Sequence, residues 1–325
     1  MKKTAVAPSN IAFIKNWGKK DEILRLPENG STSMNLSGMA TTTTVEFDPL
    51  FKEDSIVIND IEEESDGNRA IKHLERIRAL AKITDKARVV TNTNFPRSTG
   101  LSSSASGFAA LTVAAASAAG LTLSEKELSI LARQGSGSAC RSIPNGITEW
   151  LDGDTSDTSY AVSLYQPDYW DLCDVVAVVS VGKKDVATTA GMKLAGKSPF
   201  FPIRLSRIKE KIAQCKKALE EKNFQTFGEL VEAEALELHA IMLTSTPSLI
   251  YWTPGTLRIM KFCKVWRAEG IPVYFTINTG QDIHLICEKP TVEALKKKLA
   301  DIEEVRDVIV NESAPGAHCI STHLF

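Results

Sequence analysis

Between residues 92 and 121 the chain reads NTNFPRSTGLSSSASGFAALTVAAASAAGL, a serine- and glycine-rich turn running straight into an alanine-rich segment. Glycine lets a backbone come close to a ligand. A helix that starts among the serines turns its unpaired N–H groups and the positive end of its dipole toward an anion. Gly100, Ser102, Ser103, Ser104, Ser106 and Gly107 are therefore candidate phosphate-cradle residues, with hydroxyls free for phosphate oxygens or Mg2+. The plainer alternative is a capped helix with small residues for tight packing. The stretch matches neither the Walker pattern GxxxxGK[ST] nor GxGxxG. A second cluster, GSGSACRS at 135–142, sets the hydroxyls of Ser136 and Ser138 beside Arg141, whose planar fork suits a carboxylate or a phosphate.

These groups need elements to hold them. Short β-branched and apolar runs at 10–17, 87–92, 173–181, 273–277, 283–287 and 307–310 predict strands. Helical periodicity runs through 68–82, 104–119, 125–134, 205–221, 224–243, 256–268 and 292–302, and SEKE at 124–127 has the spacing of a capping box. Strands and helices do not alternate as a doubly wound parallel fold requires, so the class is α+β. The segment GKKDVATTAGMKLAGKSPFFPI (182–203) marks a domain boundary or an active-site flap.

The cradle with its flanks, NFPRSTGLSSSASGFAAL, resembles the phosphate-binding motif of the GHMP small-molecule kinases. Within that superfamily it is similar to the mevalonate diphosphate decarboxylase family, whose version reads NFPxxxGLxSSAxGFAAL. APSNIAFIKNWGKKDE (7–22) is similar to that family's APxNIAxxKYWGKRD, and GSGSACRSIPNGITEW (135–150) to its GSGSACRSxxGGFxxW. The three motifs stand in the family order and cover the N-terminal half closely, while the C-terminal half agrees mainly in layout. Phosphomevalonate decarboxylase is nearest in outline. The resemblance implies a two-lobed GHMP fold, with an N-terminal ATP-binding lobe like domain 2 of ribosomal protein S5 (1–183) and a ferredoxin-like C-terminal lobe (184–325). It also implies ATP with Mg2+ and a homodimer.

The implied reaction phosphorylates the 3-hydroxyl of a mevalonate-type acid and then expels phosphate and CO2 to leave an isopentenyl product. By the same resemblance Ser104 contacts Mg2+ or the γ-phosphate, and Lys15 lowers the pKa of the 3-hydroxyl and stabilises the transferring phosphoryl group. Arg141 holds the substrate carboxylate, and Lys19, Ser136 and Ser138 take the 5-phosphoryl group. Two departures from the family pattern carry weight. Asn16 replaces a tyrosine that helps hold the terminal phosphate of a diphosphate, and GMKLAGKSP (191–199) lacks an arginine-bearing threonine-rich pattern, which favours 5-phosphomevalonate over 5-diphosphomevalonate, with Lys197 the nearest substitute contact. Asn278, in YFTINTGQDIHLI (274–286), stands where the family's catalytic aspartate belongs. Three accounts of it are open: an inactivating substitution, a base moved to Asp282, or a protein that binds without turnover. Rival activities are a 3-kinase that stops after phosphoryl transfer and a ligand-binding sensor.

Bulk properties narrow the field further. The 325 residues are 43% hydrophobic and 24% charged, ordinary for a globular protein. Lys+Arg 38 against Asp+Glu 40 gives a net charge of −2, so no bulk basic field gathers nucleic acid or an anionic membrane. The N-terminal apolar run breaks at Pro8, Ser9 and Asn10, too early for a signal peptide, and no stretch reaches the roughly 18 apolar residues of a membrane span. Six cysteines, at 140, 173, 215, 263, 287 and 319, form no CxxC pair and read as thiols of a reducing compartment, with the cytoplasm as the default location. The histidines share no metal-ligand spacing, and LDGDTSD (151–157) reads as a solvated turn.

Overall fold

The computed structural model describes residues 1–62, 64–96, 99–180, 182 and 186–325. Its larger sheet begins with β1 (Lys2–Ile14), which pairs antiparallel with the long β4 (Ser31–Asp48). From β4 the sheet continues through β7 (Lys86–Thr93) to the parallel β5 (Ser55–Ile58) and its hairpin partner β6 (Ile61–Glu62). β8 (Ile147–Trp150) and β9 (Ala161–Tyr165) extend the other end of β4. A two-stranded ribbon, β2 (Lys19–Asp21) with β3 (Leu26–Pro27), lies beside the end of β1. Helices α1 (Glu64–Ala81), α2 (Ser103–Ala118) and α3 (Glu125–Gly135) cover this lobe.

The second sheet is antiparallel, in the order β11 (Tyr274–Thr276), β12 (Ile283–Glu288), β10 (Leu172–Val178), β13 (Asp307–Glu312). Around it lie the short α4 (Thr188–Met192), α5 (Phe201–Glu220), α6 (Phe224–Thr244), α7 (Pro254–Ala268) and α8 (Val292–Ala300). The expected lobe boundary at 183/184 falls outside the described residues. Sheet membership divides the chain earlier, because β10 is an inner strand of the second sheet. The C-terminal β14 (His318–Ile320) then returns to pair with β1.

β4 is the largest element without a sequence signal. STSMNLSGMATTTTVEFD shows no apolar alternation, yet Thr41, Thr43 and Thr44 are fully buried. Their hydroxyls are satisfied by other hydroxyls: Thr43 with Thr91 at 3.0 Å, Thr44 with Thr4 at 2.7 Å and Thr41 with Ser106 at 2.7 Å. β-branched threonine suits a pleated strand, and the paired hydroxyls remove the usual cost of burying them.

The alanines of α2 let the helix lie close on β1 and β4. Ala105, Ala109, Ala110, Ala114 and Ala115 are all fully buried, so the helix that carries the cradle is fixed along its length. The capping box at Ser124 forms as the sequence predicts, with Glu127 as its partner.

Candidate active site

β1 ends at Ile14, and the next three residues run without regular structure along a cleft between the lobes. Lys15 is buried there, its peptide group clamped from the second lobe. Its N–H donates to Glu234 Oε1 at 3.1 Å, and its carbonyl accepts from Arg204 Nη2 at 2.7 Å and Asn29 Nδ2 at 2.8 Å. Arg204 also pairs with Glu234, which takes a second cation from Lys211 at 3.0 Å. This buried network joins α5 and α6 to the end of β1 and fixes where the Lys15 side chain starts.

Lys15 Nζ donates to Ala12 O at 2.6 Å and to Asn278 Oδ1 at 3.1 Å. Burial pulls its pKa down to about 7. Glu234 and Asp174 oppose that shift, and Arg141 and Arg204 add to it. Asn278 follows β11 and is held on two sides: its Nδ2 donates to Ser102 Oγ at 3.1 Å, and its carbonyl accepts from His239 Nε2 at 3.0 Å. Burial holds His239 down to about 3, so at neutral pH it is an uncharged imidazole with the hydrogen on Nε2.

The cradle and the Asn278 loop meet at two glycines. Gly100 has φ +117°, and a Cβ there would stand 2.6 Å from Gly280 Cα, so only glycine permits this crossing. Ser102 then caps α2 in the left-handed region, with φ 59°.

The cleft, of about 270 Å3, brings together Lys15, Asn16, Lys19, Gly100, Ser102, Ser103, Ser104, Ser136, Ser138, Arg141 and Asn278. Two cradle residues fall elsewhere. Ser106 is fully buried on Thr41, where it braces the helix and does not face the cleft. Gly107 instead borders an adjoining, more apolar hollow of about 140 Å3 with Ile56, Val89, Phe108 and Leu111; Ser103 and Ser104 line both spaces.

Arg141 is buried on neutral acceptors, Ser31 Oγ at 2.8 Å and Asn10 Oδ1 at 3.1 Å, and lies over the Trp150 ring at 5.8 Å. Its buried Nε has no partner. Lys19, Arg25 and Arg69 also line the cleft, and among the described residues no carboxylate does. Such a lining selects a polyanion. Arg25 and Arg69 had no local signal in the sequence, because charges on a turn and on a helix read as solvated ones.

Asp282 cannot replace Asn278. It is 2% exposed and spends Oδ1 on the N–H groups of Val179 at 3.0 Å and Ser180 at 3.3 Å, so it ties β12 to the end of β10 outside the cleft. Lys197 is exposed and does not line the cleft; Thr188, Thr189 and Met192 do. Asp154 pairs with Lys20 at 2.8 Å, away from the cleft lining.

A nucleotide's phosphates fit the cradle, and a divalent cation would find the Ser104 hydroxyl but no acidic cluster among the described residues. Ser104 is exposed at the helix start, with its hydroxyl 3.3 Å from Ser136 Oγ. Ser104→Ala is therefore expected to raise KM for Mg-ATP while the melting temperature holds or rises, since alanine is the better helix former. An unchanged ATP dependence would remove Ser104 from the site.

Both halves of the chain match known proteins. The family model for the diphosphomevalonate decarboxylase-like N-terminal domain matches residues 7–161, and that for the mevalonate 5-diphosphate decarboxylase C-terminal domain matches 174–316. Phosphomevalonate decarboxylase of Haloferax volcanii is 32% identical over 95% of both chains. The mevalonate diphosphate decarboxylase of Enterococcus faecalis, solved in a study of mevalonate diphosphate-mediated ATP binding, superposes with a TM-score of 0.92 at 36% identity over 99% of both chains. A structure described as MDDEF in complex with MVAPP, AMPPCP and magnesium superposes with a TM-score of 0.93 at 37% identity, again over 99% of both. With both halves matched in order and the whole length superposed, the chain belongs to the diphosphomevalonate decarboxylase family and has the two-lobed GHMP kinase fold.

Proposed function

We propose that this chain catalyses the ATP-dependent decarboxylation of 5-phosphomevalonate to isopentenyl phosphate, releasing ADP, phosphate and CO2. The observation that carries this reading is Arg141: a buried guanidinium on neutral acceptors, in a cleft with no acidic lining among the described residues, beside a phosphate cradle. A carboxylate is the partner that such a fork lacks.

Arg141 holds the carboxylate, which leaves the 3-hydroxyl facing Lys15, while Ser136 and Ser138 with Lys19 take the 5-phosphoryl group. Bound Mg-ATP supplies the phosphoryl group that turns the hydroxyl into a leaving group, and Lys15 offsets charge as it develops. Ser102, Ser103 and Ser104, with the first N–H groups of α2, hold the phosphates, and the hollow beyond Gly107 takes the apolar face of the base. When the C3–O bond then breaks, its electron pair leaves with the phosphate, the C1–C2 bond breaks, and its electrons form the new C2=C3 double bond as the carboxylate departs as CO2.

Beyond Lys15 and Arg141 the lining cations are Lys19, Arg25 and Arg69; Arg69 lies over the Phe108 ring, and Lys19 already shares its charge with Glu22 at 2.6 Å. With a neutral amide at Asn16 and Lys197 off the cleft, the lining suits one phosphate at the 5-position. The diphosphate is the second reading, favoured by the names of both family models.

Product analysis tests the reaction. Equal amounts of ADP, CO2 and isopentenyl phosphate are expected from 5-phosphomevalonate and ATP. A stable 3-phosphate would make the chain a kinase, and binding without ADP release would make it a sensor.

A further inference from the structure

We propose that in this chain Lys15, as a neutral amine whose two N–H bonds are fixed by Ala12 O and Asn278 Oδ1, is the proton acceptor for the substrate's 3-hydroxyl. The inference rests on the reaction proposed above and assigns its base. A neutral amine has two hydrogens and one lone pair, set tetrahedrally. Ala12 O at 2.6 Å and Asn278 Oδ1 at 3.1 Å accept both hydrogens, so the lone pair takes a remaining direction from a nitrogen that lines the cleft.

Asn278 presents its oxygen to Lys15 because its Nδ2 is committed to Ser102 Oγ and its carbonyl to His239. In this orientation Oδ1 accepts from Nζ while Nδ2 donates to the serine hydroxyl. Among the described residues no carboxylate lies within ion-pair distance of Nζ. The nearest acid in the network, Glu234, meets Lys15 only at its backbone N–H and is neutralised by Arg204 and Lys211.

Other charged groups around Nζ oppose one another. Asp174 from β10, with Glu234 from α6, favours the ammonium, while Arg141 from the 137–142 turn and Arg204 from α5 disfavour it. His239 contributes no charge at neutral pH. Burial decides the balance and brings the amine to about 7, which makes the free base accessible near neutrality. A buried lysine in this range is a competent general base.

As the 3-hydroxyl oxygen bonds to the γ-phosphorus of the nucleoside triphosphate, the bridging P–O bond to ADP breaks and the hydroxyl proton moves to Nζ. The ammonium so formed sits against the new phosphoester. When the C3–O bond breaks, the departing phosphate takes the proton back and the amine is neutral again. An aspartate at 278 would reverse this arrangement, because a carboxylate facing Nζ holds it as an ammonium and becomes the base itself.

The test combines pH profiles of kcat/KM for the wild type and Asn278→Asp with an NMR titration of 15N-labelled lysine, Lys15 being assigned by its loss in Lys15→Met. In the wild type the Lys15 signal is expected to titrate near pH 7, and activity to be about tenfold lower at pH 6 than at pH 8. In Asn278→Asp the Lys15 midpoint rises by at least one pH unit, and activity at pH 6 falls less than twofold below its value at pH 8. Lys15→Arg abolishes turnover in the wild-type background, since arginine stays charged.

A wild-type Lys15 still protonated at pH 9, or an active Lys15→Arg, overturns the proposal. Products from Asn278→Asp with none from the wild type at any pH overturn both the proposal and the reaction as an activity of this chain, whereas an active Lys15→Arg leaves the reaction standing. Products from neither protein overturn the reaction itself, and the assignment of its base with it.

Discussion

Replacing Arg141 with lysine is expected to lower kcat/KM for the acid about tenfold to a hundredfold, ~1.4 to 2.8 kcal/mol, while KM for ATP moves less than threefold. The guanidinium is positioned by Ser31 and Asn10 and lies over Trp150, and its plane is what a two-oxygen contact with a carboxylate requires. Lysine supplies the charge but neither the fork nor the flat face, and it leaves Asn10 and Ser31 short of a donor. Steady-state kinetics with each substrate varied in turn measure the split. Equal losses on both substrates would place Arg141 away from the acid.

Arg204→Met should be the most destabilising single change in the network behind the cleft, by about 3–5 kcal/mol, because it leaves a fully buried Glu234 with one fewer cation and strips a donor from the Lys15 carbonyl. Removing both charges, in Arg204→Met with Glu234→Leu, should cost much less than the single change, since no buried charge is then unpaired. Urea unfolding of the two variants decides the matter. A single variant within about 1 kcal/mol of wild type would mean that water reaches Glu234 and that the clamp on Lys15 is loose.

Much of the candidate cleft's lining is legible in the sequence. Lys15, Ser102–Ser104, Ser136, Ser138 and Arg141 sit in three contiguous motifs, and each motif spans one end of an element and the turn beside it, so local sequence carries both chemistry and placement. What holds those residues was not legible. Glu234, Arg204 and Asn29 reach Lys15 from 14 to 219 positions along the chain, and each read as one charged or polar residue on a helix or turn. β4 was missed for a related reason: its threonines are buried through hydroxyl pairs on three other elements, a pattern with no trace in apolar periodicity. Asp282 shows the converse error. An acid four residues from Asn278 is close in sequence, but its place just before β12 aims it at the backbone N–H groups of Val179 and Ser180, just past β10, and away from the cleft.

The reaction proposed here depends most on which acid the far end of the cleft accepts. Side-by-side values of kcat/KM for 5-phosphomevalonate and 5-diphosphomevalonate, at saturating Mg-ATP and pH 8, address it directly. With Lys19 partly neutralised by Glu22 and a neutral amide at Asn16, the monophosphate should be the better substrate by about tenfold or more, the scale of one charged contact. Faster turnover of the diphosphate would contradict the account.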